Sequence, residues 1–150
     1  MILGLAVIAG PDFRFGPDFR TNSKVIDPSD PGFDPDALRF EDYNNYADLT
    51  QVLSAIFPAG TPQSHIETII SLQSPPNPPS QGPVSEAIKK SGGDHTLRYE
   101  FPRLYFPKCL LTINKNTRIN FYFDNKNQLL FFHILHGCGV STSDIGRNPK

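Results

Sequence analysis

The sequence predicts an α+β domain in which two helices pack on a three-stranded antiparallel sheet, as two layers in the order ααβββ. Helix-like segments near residues 44–57 and 62–72 precede strand-like segments between residues 96 and 136. The helical segments repeat apolar residues along one face, and the strand-like segments alternate apolar with polar residues. Helices followed by strands in this way are typical of a single two-layer core.

The composition limits the size of this core and the class of partner. The chain has 150 residues, of which 38% are hydrophobic and 15 are proline. This proline content is about twice the average usage, so we expect only part of the chain to pack. The formal net charge of −1 gives no electrostatic reason to expect nucleic acid or an anionic membrane surface as the partner.

Residues 1–42 are predicted to be an apolar start followed by an extended or disordered arm. The start, "MILGLAVIA", fits either the end of a signal or anchor whose upstream part is missing or an ordinary flexible terminus. Membrane association is expected only in the first case. The arm contains many Asp-Pro pairs, and each proline removes a backbone donor and disfavours regular structure.

The folded domain is expected over residues 43–137 and begins with the amphipathic helix "NNYADLTQVLSAIF". Pro58 ends this helix because proline cannot donate the next backbone hydrogen bond. Gly60 permits a sharp reversal of the chain, Thr61 is predicted to cap the second helix, and Pro62 is predicted to open it. We therefore interpret this stretch as a connector that carries no chemistry.

The second helix leads into residues 73–95, which are predicted to be a flexible insertion because of their Pro and Gly content. The strands "TLRYEF", "TRINFYFD" and "LLFFHILHG" follow, and residues 138–150 are expected to form a C-terminal tail. A two-residue turn at Lys126-Asn127 would set the register of the last two strands. The core face would then hold Ile119, Phe121, Phe123, Leu130, Phe132 and Ile134.

The opposite face of this sheet is unusually apolar for a surface that a two-layer domain leaves in water. The predicted register pairs Tyr122 with Phe131 and Asn120 with His133. Either the arm or residues 103–113 fold over this face, or it is a partner-binding patch. The candidate partner-binding residues are Tyr122, Leu129, Phe131, His133 and Leu135.

The potentially reactive side chains match no catalytic or metal-binding pattern. Residues three apart on a strand face opposite sides, so His133 and His136 are not expected to share a metal. The sequence contains neither a phosphate-binding glycine loop nor a nucleophile elbow. We therefore predict no catalytic residue, no metal and no cofactor. A small hydrolase, the alternative, would need a histidine in a cleft beside a nucleophile.

The two cysteines, Cys109 and Cys138, leave the compartment open. A disulfide between them fits an oxidising compartment, whereas two reduced, half-buried thiols fit the cytoplasm.

Residues 46–136 resemble the small envelope lipoproteins of the SmpA/OmlA (BamE-like) family and, more loosely, the β-lactamase-inhibitor-like proteins of the same layout. "FPAGTPQSHIETII" is similar to the connector and second helix of that family, "TLRYEF" to its first strand, and "RINFYFDNKNQLLFFHI" to its closing hairpin. The chain departs from the family in the long insertion, in the segment after the second helix, and in lacking a lipidation cysteine near its start.

This resemblance implies a non-enzymatic scaffold or inhibitor-like module of a bacterial envelope or periplasm. We accordingly expect another protein as the partner and no nucleic acid. The alternative is a cytoplasmic or secreted location. In the secreted case, we expect an inhibitor, immunity-type or host-directed protein that acts through the proline-rich loop 73–95.

Overall fold

The computed structural model of the protein describes residues 27–43, 45–102, 104, 116–136 and 139–143. The chain divides into two units, Met1–Phe33 and Asp34–Lys150. The predicted apolar start, most of the predicted arm and both cysteines lie outside the described residues.

The described part of the smaller unit, residues 27–33, consists of tight turns where an extended backbone was expected. The carboxylate of Asp27 accepts hydrogen bonds from the backbone N–H and the hydroxyl of Ser29, at 2.9 and 2.7 Å. Asp30 accepts the N–H of Gly32 in the same manner, at 2.8 Å. These side chains thus build turns with their own backbone, as short polar side chains commonly do. The hydroxyl and N–H of Ser29 also lower the pKa of Asp27.

The larger unit is an α+β domain built on one antiparallel sheet, in agreement with the predicted fold class. Among the described residues, five strands lie side by side in chain order, where the sequence predicted three. The α-helices of this part of the chain are α1 (Tyr46–Ile56), α2 (Gln63–Ser71) and α3 (Glu86–Lys90), where two were predicted. The strands are β1 (Ser80–Pro83), β2 (His95–Phe101), β3 (Thr117–Phe123), β4 (Leu129–His136) and β5 (Gly139–Thr142).

Helix α1 forms because its start is capped and its apolar residues share one face. The side chain of Asn45 accepts the N–H of Asp48 at 2.8 Å, which satisfies one of the free donors at the helix start. Leu49, Val52 and Leu53 are buried on the face that packs against the sheet. The helix ends as predicted, just before the connector that contains Pro58.

Helix α2 begins one residue later than predicted, and its cap differs. Pro62 occupies the capping position with an extended backbone, and the first helical residue is Gln63. Thr61 does not cap the helix, because its hydroxyl donates to the carbonyl oxygen of Pro58 at 2.6 Å. This bond closes the reversal between the two helices. Three isoleucines of α2 are buried against the sheet: Ile66, Ile69 and Ile70.

The inner face of the sheet and the two long helices enclose the core. The ring of Phe121 lies at its centre and is fully buried. Its centroid lies 5.9 Å from that of Phe57, 6.1 Å from that of Tyr99 and 5.7 Å from that of Phe132. Aromatic rings at these separations stabilise the contact beyond the area that they bury.

The β3–β4 pairing confirms most of the predicted register and corrects its end. Ile119 pairs with Ile134, Phe121 with Phe132, Asn120 with His133, and Tyr122 with Phe131. Phe123, however, pairs with Leu129, which leaves Leu130 as the extra residue of a β-bulge.

The register differs from the predicted one because the turn between β3 and β4 has three loop residues instead of two. Asp124 accepts the backbone N–H groups of Lys126 and Gln128 at 2.8 and 2.9 Å. Asn127 adopts a left-handed backbone with φ of 58°. A type I turn followed by a left-handed residue is a common three-residue hairpin loop. It reverses the predicted faces of Leu129 and Leu130, and only Leu129 is fully buried.

The predicted flexible insertion holds two ordered elements. Strand β1 pairs with β2 and forms one edge of the sheet. Helix α3 follows and ends in a Schellman motif, in which Gly92 has a φ of 91° and the N–H of Gly93 bonds to the carbonyl of Ile88 at 2.9 Å. The sequence "SGGD", which resembles a linker, is therefore a helix terminator.

Residues 34–43 also belong to the larger unit. The amide side chain of Gln73 accepts the N–H of Phe40 at 3.1 Å and donates to the carbonyl of Leu38 at 2.9 Å. Leu38 and Phe40 are buried. The larger unit thus begins at Asp34, whereas the folded domain was expected to begin at residue 43.

Strand β5 lies in the predicted tail and forms the other edge of the sheet. Beyond it, the hydroxyl of Ser143 accepts the N–H of Phe132 at 3.0 Å, and the N–H of Ser143 donates to the carbonyl of Phe132 at 3.1 Å. These bonds extend the hairpin past its last strand residue. Within the described ranges, no helix has the length and apolar character needed to cross a bilayer.

Candidate functional site

Three rings form a cluster on the outer face of the sheet, on the side away from the helices. Tyr122 on β3 and Phe131 on β4 are cross-strand partners whose rings stack with centroids 4.5 Å apart and planes at 21°. The imidazole of His133 completes the cluster at 5.2 Å from each of these rings. All three side chains are half-buried, so the cluster presents both apolar ring surface and polar edges to its surroundings.

A line of polar side chains holds the tyrosine of this cluster in place. The guanidinium of Arg98 on β2 donates to the side-chain oxygen of Asn120 at 3.2 Å. The amide nitrogen of Asn120 lies 3.5 Å from the hydroxyl of Tyr122, to which it donates. Asn120 is itself buried, whereas Arg98 is exposed. The polar line therefore runs from the surface to the edge of the aromatic cluster.

The far end of the same face combines an ion pair with aliphatic side chains. Glu100 and Arg118 are cross-strand neighbours whose charged groups lie 3.1 Å apart. Leu135 pairs with Arg118 on one side and with Val140 of β5 on the other. Among the side chains that the structure describes, Val140 is the most exposed large hydrophobic one at 60%, followed by Leu72 at 38%. The outer face thus ends in an aliphatic edge.

We name the outer patch from these residues: it comprises Tyr122, Phe131, His133 and Leu135, with Val140 at its edge. Four of the five predicted partner-binding residues lie in it. The fifth, Leu129, does not, because the bulge turns it into the core, where it is 1% exposed. The predicted covering of this patch by the arm or by residues 103–113 stays a prediction, because residues 1–26, 103 and 105–113 lie outside the described residues.

Burial governs the charge of the two histidines of β4. It lowers the pKa of His133, since the neighbouring rings displace the water that would solvate an imidazolium. It also lowers the pKa of His136, whose ring stacks on Tyr46 at 3.8 Å on the helix side of the sheet. The two histidines therefore lie on opposite sides of the sheet, as the strand spacing predicts. The neutral imidazole of His133 keeps the outer patch uncharged.

A second polar cluster, which the sequence analysis missed, joins α2 to the start of β2. The ring nitrogens of His95 lie 3.0 Å from the carboxylate of Asp94 and 2.8 Å from the side-chain oxygen of Gln63. Gln63 in turn donates to Glu67 at 2.9 Å. The imidazole is buried and stacks on Phe123 at 5.3 Å.

The signal for this cluster is present in the sequence. His95 stands at the inward-facing position of the alternating run "HTLRYEF", where a buried imidazole needs hydrogen-bond partners. Its partners come from α2 and are far away in the chain, so the sequence alone could not identify them. In the part of the chain that the structure describes, no three His, Cys, Asp or Glu side chains are grouped to hold a metal ion. The cluster can fasten a helix to the sheet.

Comparisons of the chain with models of protein families, with curated proteins and with solved structures find no match.

Proposed function

We propose that this protein is a non-enzymatic protein–protein interaction module that binds its partner through the outer patch. The observation that carries the proposal is the stacked pair of Tyr122 and Phe131, with His133 against both rings. The rings lie on the sheet face that points away from the two long helices. They lie beside an exposed arginine, Arg98, that a buried asparagine orients.

The chemistry of the patch suits a protein surface as its partner. Tyrosine and arginine are enriched among the residues that dominate binding energy, and such residues concentrate at an apolar centre with a polar rim. Here the rings and Leu135 form the centre, while Arg98 and the Glu100–Arg118 pair form the rim. Strands hold these side chains in fixed positions, so little conformational freedom is lost on binding.

The cellular setting of the proposal follows from the sequence alone. The resemblance of residues 46–136 to the SmpA/OmlA (BamE-like) lipoproteins favours a partner in a bacterial envelope. We propose this setting together with the finer layout that the resemblance implies, in which the two long helices and the three central strands form the shared unit. The short edge strands β1 and β5 would then be additions of this chain.

Site-specific photocrosslinking in native cells tests the proposal. A photoreactive phenylalanine analogue at position 131 should give one discrete adduct with another protein. The same analogue at position 72 is the matched control, because Leu72 is an exposed hydrophobic residue outside the outer patch. The adduct at position 131 should disappear in the Tyr122→Ser variant, which removes half of the stacked pair.

Two outcomes would contradict the proposal. In the first, position 131 crosslinks only to residues 1–26 or 103–115 of the same chain, which would mean that the protein covers its own patch. In the second, positions 131 and 72 give the same adducts, which would mean that the patch has no preference for a partner.

The proline-rich loop supports a second candidate function, binding by an extended peptide segment. Pro76, Asn77 and Pro78 are exposed, and they lie between the end of α2 and strand β1, which holds the following residues on the sheet. An exposed proline-rich segment can enter an aromatic-lined groove of a partner. Replacement of Pro76 and Pro78 by alanine should abolish binding under this alternative and leave it intact under the first proposal.

A further inference from the structure

A cavity of about 460 Å³ lies at the end of the sheet that is closest to the start of the larger unit. It is bounded by the 3₁₀ turn Phe40–Asp42, by the residues that follow α2 and by the end of β2. Its volume falls within the range of about 300–1,000 Å³ that small-molecule sites occupy. The lining residues from β2 and the 3₁₀ turn belong to the core side of the sheet, so this cavity is separate from the outer patch.

The floor of the cavity is aromatic and already packed. The rings of Phe40 and Phe101 meet edge to face, with centroids 5.2 Å apart and planes at 66°. Leu104 completes the apolar lining. Phe40, Phe101 and Leu104 are buried within the domain. Because Phe40 and Phe101 are only 2% and 6% exposed, an apolar body of a ligand placed here would leave water mainly against the exposed lining residues Pro76 and Pro102.

The wall of the cavity is held in place by hydrogen bonds and by an unusual backbone conformation. Gln73 bonds both to the N–H of Phe40 and to the carbonyl of Leu38, which fixes the 3₁₀ turn against the end of α2. The next residue, Ser74, has a φ of 49°, in the left-handed region that non-glycine residues rarely adopt. Such backbone strain is found most often at functional positions. The wall is thus formed before any ligand arrives.

The charge of the lining selects the class of ligand. Among the described residues that line the cavity, Glu41 is the one with a charged side chain. None of the ion pairs within the described residues involves Glu41. Its carboxylate at the rim therefore attracts a cation and repels an anion.

We propose that this cavity binds a small organic amine in its protonated form, with an aromatic or branched aliphatic body. The body would lie against Pro76 and Pro102, next to the Phe40–Phe101 pair, and the ammonium group would lie near the carboxylate of Glu41. This site is independent of the partner-binding function proposed for the outer patch, because the two share no residue.

NMR-monitored titrations with a matched set of three small molecules test this site. The probes are 2-phenylethylamine, 2-phenylethanol and phenylacetate, which share a phenyl ring and carry a cationic, a neutral and an anionic polar end. The amine should bind most tightly, the alcohol more weakly and the acid least, and the resonances of Phe40, Phe101 and Leu104 should shift. An exposed ion pair is worth about 0.2–1 kcal/mol, so the affinity for the amine should exceed that for the alcohol by about 1.4- to five-fold.

Substitutions of exposed glutamates distinguish the effect of the Glu41 charge on ligand affinity from any effect on the folded structure. Glu41→Gln should remove the advantage of the amine over the alcohol and leave the affinity for the alcohol unchanged. Glu86→Gln is the matched control, because Glu86 is an exposed glutamate on α3 that does not line the cavity. N-acetyl-lysine methylamide, an ammonium on a peptide side chain without an aromatic body, should bind more weakly than 2-phenylethylamine.

The proposal is overturned if no probe shifts the lining resonances at concentrations up to about 10 mM, which is weaker than any useful small-molecule site. It is also overturned if phenylacetate binds as well as the amine, or if Glu41→Gln leaves the order of the probes unchanged. Tighter binding of the lysine derivative than of 2-phenylethylamine would also overturn the proposal, and it would indicate a lysine side chain of a peptide as the ligand.

Discussion

Leu129 donates its backbone N–H to the carbonyl oxygen of Thr61 across 2.9 Å and accepts the N–H of Gly60 across 2.7 Å. The connector between α1 and α2 is therefore bonded to the first residue of β4. The N–H of Gln63 adds a third bond, to the carbonyl of Asn127 at 2.9 Å. The stretch "FPAGTP" has a structural role, since it fastens the helical layer to the β3–β4 hairpin.

Gly60 should be the most sensitive position of this connector. Its φ of 89° is rarely adopted by other residues, yet a Cβ there would contact nothing within 4 Å. We therefore expect Gly60→Ala to lower the free energy of unfolding by about 1 kcal/mol, from backbone strain alone. Gly60→Pro should cost about 3 kcal/mol or more, because proline fixes φ at about −65° and lacks the N–H that bonds to Leu129. Urea unfolding measures both losses, and equal losses would contradict the importance of this backbone conformation and of its N–H.

Gly93 should tolerate substitution even less well than Gly60, for a steric reason. A Cβ at this position would lie 2.4 Å from Cγ2 of Ile88 and 3.0 Å from its carbonyl oxygen. We expect Gly93→Ala to cost about 2 kcal/mol in urea unfolding. Ile88→Ala removes the closer of these contacts, so the double variant should lose less than the sum of the two single variants. Additive losses would show that the contact between the two side chains does not cause the effect.

The predicted and observed folds agree where local patterns decide the structure. The apolar repeats of α1 and α2 and the alternation in β2, β3 and β4 are strong because each element buries one face. Strands β1 and β5 have four residues each, "SQGP" and "GVST", and carry no such alternation. Each of these short strands is ordered because it pairs with a longer neighbour. The four residues of the strand itself carry no pattern from which this pairing could be predicted.

The residues of the outer patch could be predicted from the sequence only as far as the register between β3 and β4 could be predicted. The pairing of Tyr122 with Phe131 follows from a hairpin centred near residue 126, and four of five outer residues follow with it. Leu129 was misplaced because "FDNKNQ" fits both a two-residue and a three-residue loop. The capping of the turn by Asp124 decides for the longer loop. The amine cavity depends on contacts of Gln73 with residues more than thirty positions away, which no local pattern encodes.

Thr96 offers a test of packing on the outer face of the sheet. It pairs with Tyr122, and its hydroxyl is buried without a hydrogen-bond partner among the described residues. Valine has nearly the same shape and suits a strand, so Thr96→Val removes an unsatisfied group without leaving a hole. We expect the free energy of unfolding to stay equal or to rise by about 1 kcal/mol. A clear loss in urea unfolding would mean that the hydroxyl has a partner in solution.

The histidines of β4 should make stability depend on pH. Burial lowers the pKa of His133 and of His136 below the ordinary value of 6.5. As the pH falls through 6.5, the unfolded chain takes up these protons first. The histidine contribution to the free energy of unfolding is therefore complete above pH 6.5 and is lost as the pH falls from 6.5 through the lower folded-state values.

Substitution of the histidines isolates this contribution. His133→Gln should flatten the dependence of the free energy of unfolding on pH between about 7 and 5, and His133→Gln with His136→Gln should flatten it further. Urea unfolding at each pH gives the slopes. An unchanged slope in the double variant would mean that both imidazoles titrate alike in the folded and unfolded chains.

The affinity of the crosslinked partner for purified variants is the most direct test of the outer patch. Isothermal titration calorimetry would compare the wild-type protein with Phe131→Ser and with the control Leu72→Ser, after circular dichroism has shown that all three fold. Loss of an aromatic residue at the centre of an interface costs about 2 kcal/mol or more, so Phe131→Ser should weaken binding by at least about thirty-fold. Leu72→Ser should leave the affinity unchanged. Equal affinities for the wild-type protein and Phe131→Ser would contradict the assignment of the outer patch as the binding surface.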